Sequence, residues 1–381
     1  MKICYLADIN SAHTHKWLNY FVHKGYDIHV ISLGEGTYEG VTVHSLNVKD
    51  NIMKKTSDKN KLEYLKKIKR VKSLIKEINP DILHAHYASS YGLLGAIANY
   101  HPYIISVWGS DIYDFPIKSS IHKLIIKYNL KKADYILSTS NVMKVETQKY
   151  TNKNIQVTPF GVDISKFIPN KIEKEEIVIG TIKTLEEKYG VKYLIEAFKE
   201  VKDRNKDLTL KLRIGGRGSQ EDYLKELVKK LSIDKDVDFL GFVKPKDVIK
   251  EFQNFDLAVF PSILDSESFG VAAVEAEACG TPVVVTDVGG LMESTKPNVT
   301  SLVAKKNSVE ELAEKIEILV KNKDLRTIMG INARRFVEEN YSLENNFNDV
   351  DKIYKSIIKW VLKSKKIFLG SLVANFNINN V

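Results

Sequence analysis

Two carboxylates, Glu267 and Glu275, stand eight residues apart at the edge of the apolar stretch DSESFGVAAVEAEACGTPVVVTDVGG, residues 265–290. Just upstream, LAVFPS (257–262) is a short apolar run of the kind that forms a buried strand. Asp265, Ser266 and Glu267 then make a polar loop at its carboxyl end, and Phe269 or Gly270 opens a helix running to Cys279. The first N–H groups of a helix have no partner inside it and lie at the positive end of its dipole, so such a start receives an anion. Glu267 therefore precedes an anion-binding turn, and Glu275 follows about two turns into the helix. Glu277 lies off this pattern and reads as solvent-facing. A second strand-to-helix turn, LRIGGRGSQEDYLKEL, carries Gly216 and Gly218, a spacing that gains weight only from that context.

These turns need strands and helices to position them, and the rest of the chain supplies both. KICYLAD, DIHVISL, DILHAHY, YIISVWG, YILSTS and IQVTPFG are short apolar or β-branched runs. Between them lie stretches such as 14–24, 59–78 and 119–132 with apolar residues three and four apart. After the polar ISKFIPNKIEKEE, which reads as a linker, the pattern restarts with IVIGTI, LTLKLRIGG, VDFLGFV, LAVFPS and PVVVTDV. Alternation of this sort implies parallel sheets covered by helices, with ligands at the carboxyl ends of the strands. The expected organisation is a doubly wound domain over 1–170, a second over 171–344, an amphipathic helix over 345–362 and a tail over 363–381. That tail has no clear period; a weak basic-apolar membrane contact is its alternative reading.

Composition bounds the function. A chain of 381 residues suits two domains flanking a cleft. No apolar run approaches the ~20 residues needed to cross a bilayer. The opening MKICYLADIN has too short an apolar run for a signal peptide, so a cytoplasmic protein is expected. Cys4 and Cys279 are too far apart in sequence to suggest a metal or disulfide framework and read as small buried hydrophobes. Residues 1–170 hold 23 Lys+Arg against 14 Asp+Glu, whereas 171–381 hold 34 of each. The excess is densest in MKKTSDKNKLEYLKKIKRVKSLIKEI, residues 53–78. It reads as a solvated helix face or as a surface for anionic lipid or another polyanion. Nucleic acid is disfavoured, since no binding motif or aromatic interleaving accompanies the charge.

The stretch PSILDSESFGVAAVEAEACGTPVV resembles the Pro-Ser…Glu-x-Phe-Gly…Glu-Ala-x-Ala-Cys-Gly-x-Pro-Val-Val signature of retaining glycosyltransferase family 4, the glycosyl transferases group 1 of GT-B fold. The resemblance runs from residue 1 to about 360. It implies two Rossmann-like domains facing a cleft, the first for the acceptor and the second for a nucleotide-sugar donor, with the last helix crossing back to the first domain. It places Glu267 on the hydroxyls of the donor sugar, Glu275 on the ribose hydroxyls and the Phe269-Gly270 helix start on the diphosphate. A carboxylate suits a vicinal diol because it accepts two O–H donors at once. In IGTIKTLEEKYGVKYLIEAF, Lys183 and Lys188 have the spacing of the family's two diphosphate-binding cations. The first is Lys where Arg is usual, and Tyr189 intervenes before Gly190. Gly216 and Gly218 match the glycine turn, and Phe242 lies in the strand flanking the base.

In the first domain, ADINSAHTHKWLNYF, HAHYASSYG and SVWGSDIY resemble segments facing the cleft. Many relatives carry a His near the position of Gly109, where this chain has Trp108, Gly109, Ser110 and Asp111. Asp111 is then the candidate for orienting or deprotonating the acceptor hydroxyl, with His15, Trp108, Gly109 and Ser110 as acceptor-side neighbours. The histidines at strand ends, His84 and His86, read first as structural. The implied reaction moves a hexose-type sugar from a UDP- or GDP-sugar to a glycan or lipid-linked acceptor with retention, by front-face substitution. No cofactor and no metal is required, and motion is expected at residues 165–175. The basic first domain suggests peripheral contact with an anionic inner membrane face. Alternatives are a nucleotide-sugar epimerase or phosphorylase of the same fold, and a non-catalytic polyanion- or lipid-binding protein.

Overall fold

A computed structural model describes residues 1–48, 62–170 and 174–378. Residues 53–61 of the lysine-rich stretch lie outside the described residues. The chain forms two units: Met1–Thr139 with Met143–Thr158 and the chain from Asn346 on, and Ser140–Val142 with Pro159–Asn345.

The first unit is built on β1 (Lys2–Leu6), β2 (Asp27–Ser32), β3 (Val41–Ser45), β4 (Ile82–His86), β5 (Tyr103–Val107), β6 (Tyr135–Ser138) and β7 (Ile155–Val157). Their order in the sheet is β3-β2-β1-β4-β5-β6-β7, all parallel. In the second unit β8 (Ile177–Ile182), β9 (Leu210–Gly215), β10 (Val237–Gly241), β11 (Leu257–Phe260), β12 (Val283–Thr286) and β13 (Ser301–Ala304) run β10-β9-β8-β11-β12-β13, again parallel. Every residue of β4, β5, β11 and β12 is buried, as strands covered by helices on both faces must be. In each sheet the winding reverses once, at β1/β4 and at β8/β11. At such a point neighbouring connections leave in opposite directions and open a crevice at the strands' carboxyl ends.

Both sheets hold one strand more than the eleven runs read from the sequence. The additions, β3 and β13, are edge strands. β3 is nowhere fully buried, so VTVHS lacks the continuous apolar character of an inner strand.

The last helix runs Leu343–Ile378, so residues 363–378 are helical rather than the frayed tail expected. Nothing in the sequence stops it at 362: there is no proline from there to 378. It buries Phe347, Val350, Asp351, Tyr354 and Ile357 in the first unit. Tyr354 Oη lies 2.5 Å from His84 Nδ1 and 3.3 Å from Tyr5 Oη, and Tyr26 donates to Asp351 at 2.5 Å.

Candidate active site

The second unit assembles its charged residues on the β8/β11 crevice. Lys183 directly follows β8, and its N–H donates to the carbonyl of Gly215 (2.9 Å), tying the strand end to the glycine turn after β9. At Gly216, φ is +132° and a Cβ would stand 1.8 Å from the Lys183 carbonyl oxygen; at Gly218 the same test meets the Leu185 oxygen at 2.3 Å. Glycine is thus required there so that the two loops can lie backbone to backbone. Glu186 closes the clasp, accepting from Ser219 N (2.9 Å) and Ser219 Oγ (2.5 Å). Those two bonds hold its carboxyl below the usual range.

The Lys183 ammonium forms an ion pair with Glu267 and lies 4.5 Å from the centre of the Tyr189 ring, which Lys188 approaches to 5.0 Å. Tyr189, a departure from the family pattern, is therefore a shared aromatic platform under both cations. No sequence period links Lys183 to a ring six positions on, and the sequence reading missed it for that reason.

Beyond β11, Pro261 leads into the loop that carries Glu267, which is buried to 8% exposure. Its Oε1 accepts from the N–H of Gly270 at 3.0 Å. Gly270 is the N-cap of the helix Val271–Ala278, with φ +78°, and a Cβ there would meet Leu291 Cδ2 at 2.7 Å. One loop therefore brings together a carboxylate, a lysine and a helix start. Glu275 is half-buried on the same helix.

Three expectations change in this unit. Glu277 faces the core rather than solvent: it is fully buried, and burial pushes its carboxyl pKa up to about 8, with Thr300 opposing. Its helix has buried positions all around, which the sequence pattern, read for one apolar face, does not show. Phe269 contributes only backbone to the helix start. Its ring is buried 5.3 Å from that of Tyr341 and 6.2 Å from that of Phe160. Phe242, just past β10, is 67% exposed and offers a free ring face. Cys4 and Cys279 are buried free thiols.

In the first unit the β1/β4 crevice holds a cavity of about 420 Å³ lined by Asp8, Tyr87, Ser89, Ser110, Asp114 and Lys118 among others. Asp111 also lines it, but its oxygens are committed to backbone: Oδ1 accepts from Trp108 N (3.1 Å) and Gly109 N (2.8 Å), Oδ2 from Ala88 N (2.7 Å). It clamps the loops after β4 and β5 together, and the four-residue helix Ser110–Tyr113 begins beside it. Burial raises its pKa against the pull of those N–H groups. His15 Nε2 lies 2.6 Å from the Ile9 carbonyl oxygen. The Trp108 ring lies 4.5 Å from that of His86, tilted by 40°, and edge-on 5.3 Å from that of Tyr87. His84 and His86 are core residues; burial depresses both, His84 to about 3, so both imidazoles are neutral. Gly109 adopts φ +137° at the head of this loop. Among the described residues no group of three or more His, Cys, Asp or Glu is clustered for a metal ion.

Two doubly wound units, one with lysines and a helix start at its switch point, have the architecture of the GT-B fold. Residues 163–336 match the model of the glycosyl transferases group 1, residues 2–140 match that of the glycosyl transferase 4-like proteins, and the chain belongs to this family. An uncharacterized glycosyltransferase of Methanocaldococcus jannaschii is 34% identical over 184 residues, 48% of this chain and 46% of that protein. A second from the same organism is 28% identical over 357 residues, 88% of this chain and 91% of the relative. The capsular polysaccharide biosynthesis glycosyltransferase CapM of Staphylococcus aureus is 26% identical over 246 residues, 64% of this chain and 61% of CapM. Among solved structures, Anabaena HepE in complex with UDP superposes with TM-score 0.78 at 18% identity, covering 93% of this chain and all of that one (100%).

Proposed function

We propose that this glycosyltransferase moves a hexose-type sugar from a nucleoside diphosphate sugar, UDP- or GDP-linked, to a hydroxyl of a glycan or lipid-linked acceptor, retaining anomeric configuration. The observation that supports it best is the convergence of Lys183, Lys188, Glu267 and the Gly270 helix start on the switch point of one sheet. A diphosphate there meets two ammonium groups and the positive end of a dipole. Glu275, about two turns into that helix, accepts from the ribose hydroxyls, and Glu267 from hydroxyls of the sugar. Phe242 lies on the base. The binding of UDP by the HepE protein, which shares this fold, accords with the donor class.

In the reaction the bond from the anomeric carbon to the diphosphate oxygen breaks, and the acceptor oxygen bonds to that carbon on the same face. The acceptor's proton passes to the departing diphosphate. Charge grows on the diphosphate as it leaves, and on this reading the Lys183 and Lys188 ammonium groups offset it. On this reading neither a metal nor a cofactor is needed. The acceptor occupies the cavity beside Asp8 and Ser110, with Asp111 positioning the loops around it. Lysines and an arginine exposed on the helix Ile68–Ile78, Lys69, Arg70, Lys72 and Lys76, favour a peripheral station on an anionic membrane face.

A panel of nucleotide sugars titrated by calorimetry tests the donor site, followed by analysis of the product's anomeric configuration. Tight binding of one sugar nucleotide, weakened by Lys188→Ala, and an acceptor-dependent release of nucleoside diphosphate are expected. Affinity that no substitution at Lys183, Lys188 or Glu275 alters would falsify the assignment.

A further inference from the structure

The cavity at the β1/β4 switch point is lined by a carboxylate that the fold leaves half uncommitted. Asp8 stands two residues past β1, is exposed and borders that cavity. Its Oδ1 accepts from the N–H of Asn10 at 3.0 Å, and among the described residues no hydrogen bond or ion pair engages Oδ2. Asp111, on the same cavity, differs: both of its oxygens are taken by backbone N–H groups. The rest of the lining is rich in hydroxyls, from Tyr87, Ser89 and Ser110 among others, and Phe115 adds an apolar face. Burial, helped by the charges of Asp111 and Asp8, pushes the Tyr87 phenol up to about 12, so it keeps its proton and can donate. Formal charge favours the same kind of ligand. Asp8, Asp111 and Asp114 bring three carboxylates to the cavity, and Lys118 brings one ammonium. A carboxylate accepts from the hydroxyls of a diol, and it repels a phosphate or a second carboxylate.

We propose that Asp8 holds the acceptor by hydroxyls of an uncharged sugar, and that its charge excludes acceptors with a phosphate or carboxylate at that end. The inference rests on the reading of this cavity as the acceptor site, and adds the residue that binds there and the charge it selects. Oδ2 accepts from a hydroxyl beside the reacting one, so the reacting proton still leaves on the diphosphate. Asp111 keeps its positioning role in the loops after β4 and β5. An ammonium group on the acceptor suits the lining less well. It has three donors and no acceptor, so it leaves the Tyr87 phenol unanswered as a donor, whereas a sugar hydroxyl both donates and accepts.

Simple sugars read this out without the natural acceptor. Methyl α-glucoside, methyl α-galactoside, glucose 6-phosphate, glucuronate and glucosamine are titrated into the full chain by ligand-observed NMR, with and without UDP or GDP. A methyl glycoside is expected to bind, and the two anionic sugars to bind about tenfold more weakly or worse. Asp8→Asn keeps the turn, because the amide oxygen can still accept from Asn10, but removes the charge. It lowers methyl glycoside affinity about tenfold or more, the loss of a hydrogen bond to a charged group. It also narrows the gap to glucose 6-phosphate and leaves the melting temperature at the parent value, whereas Asp111→Asn lowers that temperature. The proposal fails if no methyl glycoside binds, if an anionic sugar or glucosamine binds best, or if Asp8→Asn changes nothing. It fails equally if that variant weakens all the sugars alike, as a merely structural role would. The donor residues lie in the second unit, so UDP and GDP affinities of Asp8→Asn stay at the parent values. Failure of the parent to bind either nucleotide would count against the donor reading, while the titrations without nucleotide still decide the role of Asp8.

Discussion

Single side chains divide the proposed donor's recognition. Glu275 offers a carboxylate to a diol, and Glu275→Gln keeps the shape while removing the charge. We expect it to weaken donor binding by about 1.5–3 kcal/mol, the worth of hydrogen bonds to a charged group, measured by calorimetry with the preferred sugar nucleotide. Tyr189 tests the shared platform under Lys183 and Lys188. Tyr189→Leu should lower donor affinity by about 0.5–2 kcal/mol, and Tyr189→Phe, which keeps the ring, by much less. Equal losses in the two variants would show that the hydroxyl, not the ring face, matters. Lys183 and Lys188 were legible as a pair from their family spacing. The ring beneath them was not, because contact across a loop leaves no period in the sequence.

At the scale of elements, the site depends on loops packed backbone to backbone. Gly216→Ala drives a Cβ into the Lys183 carbonyl and strains a φ of +132°. A loss of about 1–3 kcal/mol in stability is expected, with weaker donor binding because Lys183 shifts with its loop. Chemical denaturation of the variant alongside donor titration checks both; a stable variant of normal affinity would mean that the clasp adjusts freely. The helix Val271–Ala278 carries a second test. Glu277 has a folded-state pKa of about 8 against an ordinary 4.5, so the folded form holds a proton that the unfolded chain has released. Its contribution to stability is neutral below about pH 4.5 and grows more unfavourable as pH rises to about 8, where it levels off. Glu277→Gln should therefore raise the melting temperature at pH 8 relative to the parent by more than at pH 5, read by calorimetry at the two values.

For the molecule as a whole, the two units oppose each other in their response to pH. The first buries His84 and His86 as neutral rings, His84 with a pKa near 3 against an ordinary 6.5. Unfolding lets them take up protons, so that unit loses stability as pH falls below about 6.5. The second unit loses stability in the other direction through Glu277. Calorimetric traces across pH 5 to 8 should resolve two transitions, with acid lowering the one assigned to the first unit. His84 is built into a chain of contacts from Ser106 through the ring to Tyr354 on the last helix. Tyr354→Phe should accordingly destabilise the first unit and leave donor affinity intact, and a shift confined to the second transition would contradict that.

The alternation of apolar strands and amphipathic helices set the two doubly wound sheets, because a strand buried on both faces must be apolar throughout and a covering helix must carry a stripe. Motif and spacing likewise placed Glu267, Glu275, Lys183, Lys188 and the two glycine turns, since strand-to-helix loops lie at the carboxyl edge by topology. The edge strands Val41–Ser45 and Ser301–Ala304 escaped because an edge needs only part of that apolar character. Glu277 and Asp111 escaped for a different reason. An acid in a sequence looks the same whether water, a buried core or three backbone N–H groups surround it, and only tertiary packing chooses among them.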